Sequence, residues 1–106
     1  LGCNLTQISV KKGFNPSVVS NTDNSSYDKV KNAVLDTFNG AIVAPYLMVQ
    51  CSDSRYYGEI CDKDYRFSAC DLTKSERRGI HGVDEHIRVS AVYKAVEFYI
   101  RLIKNC

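Results

Sequence analysis

Both histidines of this 106-residue chain lie in one short polar stretch, residues 79–87, which reads Gly-Ile-His-Gly-Val-Asp-Glu-His-Ile. Imidazole and carboxylate groups are common zinc ligands, so His81, His86, Asp84 and Glu85 are candidates for metal chemistry. The two histidines are five positions apart, however, and do not share a helix face as a pair four apart would. Two interpretations stay open. Either His81 is one ligand of a site completed by distant residues, or the stretch is a polar loop with a histidine that titrates near neutral pH.

A second polar stretch, Ser-Asp-Ser-Arg at residues 52–55, follows a continuous apolar run. Ligands bind at the carboxyl ends of strands in open α/β sheets, so Ser52, Asp53 and Arg55 are candidates for binding an anion. The Arg55 guanidinium would then clamp a carboxylate with two hydrogen bonds. The alternative is that the stretch only caps a helical turn, with Asp53 pairing with Arg55.

The charge and hydrophobicity of the chain exclude several classes of partner. The formal net charge is +2, with 14 basic and 12 acidic residues spread along the chain, so there is no basic stripe for nucleic acid. No apolar run approaches the ~20 residues that cross a bilayer, so we expect no membrane partner.

The five cysteines are widely spaced, and no two are separated by only two residues. Zinc ribbons need such close pairs, so the cysteines do not indicate one. We expect reduced, mostly buried thiols. A small secreted protein with disulfide bonds stays an alternative, and the spacing does not fix the compartment.

Two segments have the periodicity of amphipathic helices. The first is expected to begin at Ser25, which forms a capping box with Asp28, and to stop at Asn39-Gly40. The second is expected to follow Ser90 as its cap. The apolar stripe that we expect it to pack into the core comprises Val92, Val96, Tyr99, Ile100 and Ile103.

Three segments, 3–13, 41–49 and 64–69, are predicted as strands. The apolar run 41–49 suits a strand buried on both faces of a parallel sheet, provided that Pro45 lies at an edge or a bulge. The predicted fold class is therefore α/β, with a small isolated sheet and two main helices. So few strands and helices indicate a portion of a larger sheet.

Four quoted segments, in this order, resemble one region of a known family: GFNPSVVSNTD, APYLMVQCSDSRYY, DYRFSACDLT and GIHGVDEHIRVSAVYKAVEFYIRLI. The chain is similar to the C-terminal part of the aminoacylase/carboxypeptidase family of co-catalytic zinc peptidases, nearest the carboxypeptidase S-like members. The resemblance implies that residues 27–106 close a three-layer α/β/α catalytic domain. Residues 1–13 would end a lid-domain strand, and residues 14–26 would be a linker.

The resemblance also implies roles for individual residues. His81 matches the histidine of the family's His-Gly-x-Asp/Asn-Glu motif, its final zinc ligand. Ser52, Asp53 and Arg55 match the loop that shapes the pocket near the substrate carboxylate. His86 matches a position that is not a ligand, and Asp84 and Glu85 are expected to serve local structure.

The chain departs from the family pattern at several points. Gln50 and Cys51 stand where the family has two glycines, so side chains replace the closest approach of backbone to a ligand. The family's His-x-Asp pair and Glu-Glu pair are both absent from the sequence. One ligand does not hold two zinc ions, and no glutamate is assigned to activate water.

Two hypotheses follow. The first is the C-terminal piece of a zinc-dependent hydrolase that cleaves N-acyl amino acids or dipeptides next to a free carboxylate, inactive by itself. The second is a non-catalytic module derived from that segment, which binds partners or self-associates. In both, exposed apolar surface is expected to drive homo-oligomerisation or association with the rest of such a domain.

Overall fold

A computed structural model describes residues 15–49 and 52–106, together with Ser9 and Gly13. These residues form three α-helices and one 3₁₀ helix. In chain order they are α1 (Ser25–Thr37), the 3₁₀ helix (Asp53–Glu59), α2 (Lys74–Gly79) and α3 (Val89–Lys104).

The predicted α/β class with a small isolated sheet is wrong for this part of the chain, because none of its residues is in a strand. Segments 41–49 and 64–69 have no regular secondary structure, and the predicted strand 3–13 lies outside the described residues apart from Ser9 and Gly13. A strand buried on both faces needs neighbours to complete its backbone hydrogen bonds. Without such neighbours, Ile42 and Val49 point into solvent with 93% and 91% of their surface exposed.

Helix α1 confirms the first predicted helix, but its cap is one residue earlier than expected. The side-chain oxygen of Asn24 accepts the backbone N–H groups of Ser26 and Tyr27, at 3.0 and 3.1 Å. Asn24 is thus the N-cap, and Ser25 is the first helical residue. After the helix, Gly40 has φ +76°, a left-handed conformation that glycine adopts readily, which agrees with the predicted stop.

Polar contacts attach segment 64–69 to the residues that precede α1. The Tyr65 hydroxyl donates to the carbonyl oxygen of Asn21 at 2.7 Å and lies 2.8 Å from the Asn24 amide nitrogen. The Ser20 hydroxyl bonds both the carbonyl oxygen and the N–H of Asp64, at 2.9 and 3.0 Å. Residues 20–24 are therefore attached to the start of segment 64–69.

The hydrophobic core is small and lies between α1 and α3. Ala33 and Val34 of α1 meet Phe98 of α3, which is 1% exposed, and Ala69 closes the cluster. The ring of Phe67 packs against Phe98 at a centroid distance of 5.1 Å. The Cα radius of gyration is 18.0 Å, against about 13 Å for a compact domain of this length. Much apolar surface is consequently left outside the core.

Helix α3 confirms the second predicted helix, but neither its cap nor its buried face is the predicted one. The N-cap is Arg88, and Ser90 already lies in the helix. The α3 side chains in or against the core cluster are Phe98, Ala95 and Leu102. The predicted apolar stripe lies on the exposed side instead, with Ile103 at 72% exposure. The helix is apolar on two faces, and α1 covers one of them.

Two further expectations concern the thiols and the membrane. Cys61 and Cys106 are free and exposed, so the expected burial is wrong for them, whereas Cys70 is free and half-buried.

None of the helices in the described part of the chain has the length and hydropathy to cross a membrane. The division into residues 1–13, 14–26 and 27–106 stays a prediction.

Candidate functional site

The stretch around His81 is a tight turn that directly follows α2. The N–H of Gly82 donates to the carbonyl oxygen of Gly79 at 2.8 Å, which closes a four-residue turn. Ile80 has φ −56° and ψ 126°, and His81 has φ +62°. These angles match a type II turn with His81 at its third position, where the positive φ normally selects glycine or asparagine.

His81 is the one non-glycine residue with positive φ among the described residues. This conformation brings the side chain of an L-residue close to its own backbone, and it costs of order 1 kcal/mol or more. Strain of this kind is found mostly at functional sites. Here it lies at the residue that the sequence singled out as a metal ligand.

Glu85 and His86 make local contacts within the same loop. A carboxylate oxygen of Glu85 accepts the backbone N–H of His81 at 3.0 Å. The Nδ1 atom of His86 lies 2.6 Å from the carbonyl oxygen of Asp84. Both side chains stabilise the loop in this structure, and every residue from His81 to Ser90 is solvent-exposed.

The polar residue that anchors this region is Glu76 of α2, which is only 2% exposed. Its Oε2 atom accepts the backbone N–H of Thr73 at 2.7 Å, and Thr73 Oγ1 accepts the N–H of Glu76 at 3.2 Å, a complete capping box. Its Oε1 atom accepts the backbone N–H of Arg88 at 2.7 Å. The Nε atom of Arg88 donates to both oxygens, at 3.1 and 3.2 Å.

These hydrogen bonds lower the pKa of Glu76 from 4.5 to about 2. The largest cause is the hydrogen bond from the Thr73 backbone. The bonds from Arg88 and from the Thr73 side chain act in the same direction, and burial opposes them. Arg88 is held in turn by Asp71, whose carbonyl oxygen and carboxylate both receive its guanidinium. Glu76 is therefore a buried, ionised carboxylate with a full set of donors.

A cavity of about 350 Å³ lies beside the loop. The residues that line it are Ser68, Cys70, Leu72, Glu76, Ile80, Glu85, His86 and Ile87. Ser52, Asp53 and Arg55 do not line this cavity, so it does not join the two predicted parts of the site.

The second predicted loop begins the 3₁₀ helix. Ser52 is its N-cap, and the Ser52 hydroxyl accepts the N–H of Ser54 at 3.3 Å. Ser52 and Asp53 are exposed, and Arg55 is half-buried. The local structure is the helical turn that the alternative interpretation predicted. Substrate binding by Ser52, Asp53 and Arg55 stays a prediction.

The described residues do not by themselves fit a zinc site. No group of three or more His, Cys, Asp or Glu side chains in the described part of the chain is arranged to hold a metal ion. Zinc sites need three or four protein ligands. For His81 to bind zinc, the other ligands would therefore have to come from outside these residues.

Sequence reasoning missed Glu76, Thr73 and Arg88. A signal for the first two was present, because Thr-Lys-Ser-Glu at residues 73–76 has the spacing of a capping box. The contact from Glu76 to Arg88 spans twelve positions, and no local pattern predicts it.

Comparison with curated proteins finds relatives along most of the chain. The chain is 38% identical over 100 residues to the N-fatty-acyl-amino acid synthase/hydrolase PM20D1 of Xenopus tropicalis, an alignment that covers 93% of this chain and 20% of the relative. It is 32% identical over 90 residues to the probable carboxypeptidase S-like 2 of Dictyostelium discoideum, covering 85% of this chain and 17% of the relative. The chain belongs to the carboxypeptidase S-like family.

The resemblance predicted from the four sequence segments is thereby confirmed. The probable carboxypeptidase S-like 1 of Dictyostelium discoideum extends it, with 31% identity over 106 residues, or 96% of this chain and 22% of the relative. This carboxypeptidase S-like chain spans about a fifth of the length of the curated relatives it matches. No protein-family model matches it. No solved structure matches it either.

Proposed function

We propose that this chain is part of a zinc-dependent hydrolase that cleaves N-acyl amino acids or dipeptides next to a free carboxylate, and that His81 is one of the zinc ligands. The observation that carries the proposal is the strained turn at His81 in a chain of the carboxypeptidase S-like family. A histidine at a position where the backbone favours glycine indicates that its imidazole is needed there.

Ser52, Asp53 and Arg55 belong to the same proposal as the part of the substrate pocket near the carboxylate. A guanidinium binds a carboxylate through two parallel hydrogen bonds, which suits Arg55 to this role. The free carboxylate of an amino acid or a peptide is the group that would be recognised. Names of relatives that refer to carboxypeptidases and to an N-fatty-acyl-amino acid hydrolase support this class of substrate.

The proposal includes the inactivity of this chain by itself. The remaining ligands and the group that activates water would come from elsewhere in the catalytic domain. We expect the purified chain with added zinc to release no amino acid from N-acyl amino acids or dipeptides. Zinc-dependent release that disappears in a His81→Ala variant would show instead that the chain forms a complete site.

A second candidate function is a non-catalytic association module. One observation favours it, the apolar surface that the core leaves exposed on α3 and in segment 41–49. Val96, Ile100 and Ile103 lie on one side of α3, and each is about half exposed or more. Exposed apolar area of this kind drives self-association or packing against the rest of a domain.

This candidate predicts a dimer or larger assembly in sedimentation at tens of micromolar. An Ile100→Lys, Ile103→Lys double variant should then sediment as a monomer, because it places charge on that surface. A Lys94→Ala variant, on the charged side of the same helix, is the matched control and should leave the assembly unchanged. If the chain without substitutions sedimented as a monomer, this result would contradict self-association.

A further inference from the structure

We propose that Glu76 and Arg88 are the positioning residues of the His81 turn. The proposal deepens the proposed function and rests on it, because His81 is the side chain whose position matters. Neither residue would touch a substrate. They would hold α2 and the start of α3 together, and so fix the two helices between which the loop with His81 lies.

The two residues lie on either side of that loop, Glu76 in the helix before it and Arg88 at the start of the helix after it. Glu76 is in α2, three positions before Gly79, where the turn begins. Arg88 is the N-cap of α3, directly after the loop. The bond from the Arg88 N–H to Glu76 Oε1, at 2.7 Å, therefore joins the first turn of α2 to the start of α3.

The loop between these ends is exposed and is held by short-range contacts. The N–H groups of His81 and Gly82 bond to Glu85 and Gly79, all within five positions. Such exposed hydrogen bonds open easily unless the ends of the segment are fixed. Glu76 supplies that constraint from a buried position.

The acceptor capacity of Glu76 exceeds what helix capping requires. One bond to the Thr73 N–H completes the capping box of α2. Three further bonds go to Arg88, one from its backbone and two from its Nε atom. Arg88 is also held by Asp71, so the pair belongs to a network that joins Asp71, the first turn of α2 and the N-cap of α3. A side chain needed only as a cap would not have to contact Arg88.

The test is solvent exchange of individual backbone amides, measured by NMR on the full chain without metal. In Arg88→Met the capping box of α2 stays intact, but the guanidinium bonds to Glu76 and Asp71 are lost. We expect the His81 and Gly82 amides to exchange about tenfold faster or more, since charge-assisted hydrogen bonds are stronger than neutral ones. Amides in the middle of α3, such as that of Phe98, should change much less.

Three further variants make the result specific. Glu76→Gln should accelerate the same two amides. Arg88→Lys, which retains a charged donor, should be intermediate between the unchanged chain and Arg88→Met. Glu97→Gln removes an exposed carboxylate paired with Lys94 and Arg101 and should leave the turn unchanged.

Equal acceleration at the turn and in α3 would overturn the proposal, because it would mean a general loss of stability. Unchanged exchange at His81 and Gly82 in Arg88→Met would also overturn it. The measurement needs neither zinc nor substrate. A failure of His81 as a zinc ligand would therefore leave the exchange result intact, and the two failures are distinguishable.

Discussion

The N–H of Gly82 donates to the carbonyl oxygen of Gly79 at 2.8 Å, and this turn places His81 in a conformation that favours glycine. The histidine thus opposes the local preference of the backbone at the residue that we propose as a zinc ligand. A residue selected only for stability would be glycine or asparagine. The predictions below test this relationship and the contacts around it.

Replacing His81 by glycine should relieve the strain. We expect His81→Gly to be more stable than His81→Ala by about 1 kcal/mol, because alanine keeps the unfavourable positive φ. Urea unfolding followed by circular dichroism measures the difference. Equal stabilities of the two variants would show that the turn is not strained at this position.

The turn also requires a glycine at position 82. A Cβ atom added to Gly82 would lie 2.9 Å from the backbone oxygen of Gly79, too close for a carbon–oxygen contact. Gly82→Ala should destabilise the chain by about 1–3 kcal/mol. Gly79→Ala is the matched control, because its nearest new contact is at 3.5 Å, and it should change stability by no more than about 0.5 kcal/mol.

The stability of the chain should depend on the ionisation of Glu76. Its pKa is lowered from 4.5 to about 2, so the folded state binds this proton less readily than the unfolded state does. The contribution of the carboxylate is then complete above about pH 4.5 and is lost as the pH falls toward 2.

Unfolding free energies of the unchanged chain and Glu76→Gln, measured from pH 6 to pH 3, give the comparison. The advantage of the unchanged chain should shrink over the acidic part of this range. Arg88 binds the Glu76 carboxylate and pairs with Asp71, and Glu85 and His86 line the cavity beside it; all four residues are common to both chains. An advantage that does not vary with pH would contradict the assigned ionisation.

The start of α1 is tested by two neighbouring substitutions. Asn24→Ala removes the N-cap and the contacts with Tyr65, and should cost about 1–2 kcal/mol. Ser25→Ala should change stability by less than about 0.5 kcal/mol, since Ser25 is already helical. Thermal unfolding measures both variants. A larger loss of stability in Ser25→Ala than in Asn24→Ala would show that Ser25 is the cap, as the sequence predicted.

The sequence predicted the two long helices because their periodicity and stop signals are local properties. It did not predict which side of α3 is buried. That choice depends on packing, in which Phe98, Ala95 and Leu102 join the core cluster with α1, while the predicted apolar stripe stays exposed. The sheet was predicted wrongly because an apolar run such as 41–49 becomes a strand only beside another strand.

The candidate site was predictable only in part. The histidine was located from its motif, and the comparisons confirm the family that the motif indicated. The strain at His81 depends on the turn that forms around it, and the contact from Glu76 to Arg88 depends on how α2 and α3 approach each other. Both follow from tertiary structure, which no short segment of sequence encodes.

The central claim is that His81 is a zinc ligand, and a chimera tests it most directly. The segment of the Xenopus tropicalis relative that matches this chain would be replaced by the chain itself, and zinc-dependent hydrolysis of an N-fatty-acyl amino acid would be measured. We expect the chimera to be active and His81→Ala to lose more than about 100-fold, since even groups around metal ligands contribute 10–100-fold. His86→Ala should stay within a few-fold of the chimera. An inactive chimera, or equal activity in the His81→Ala and His86→Ala chimeras, would contradict the claim.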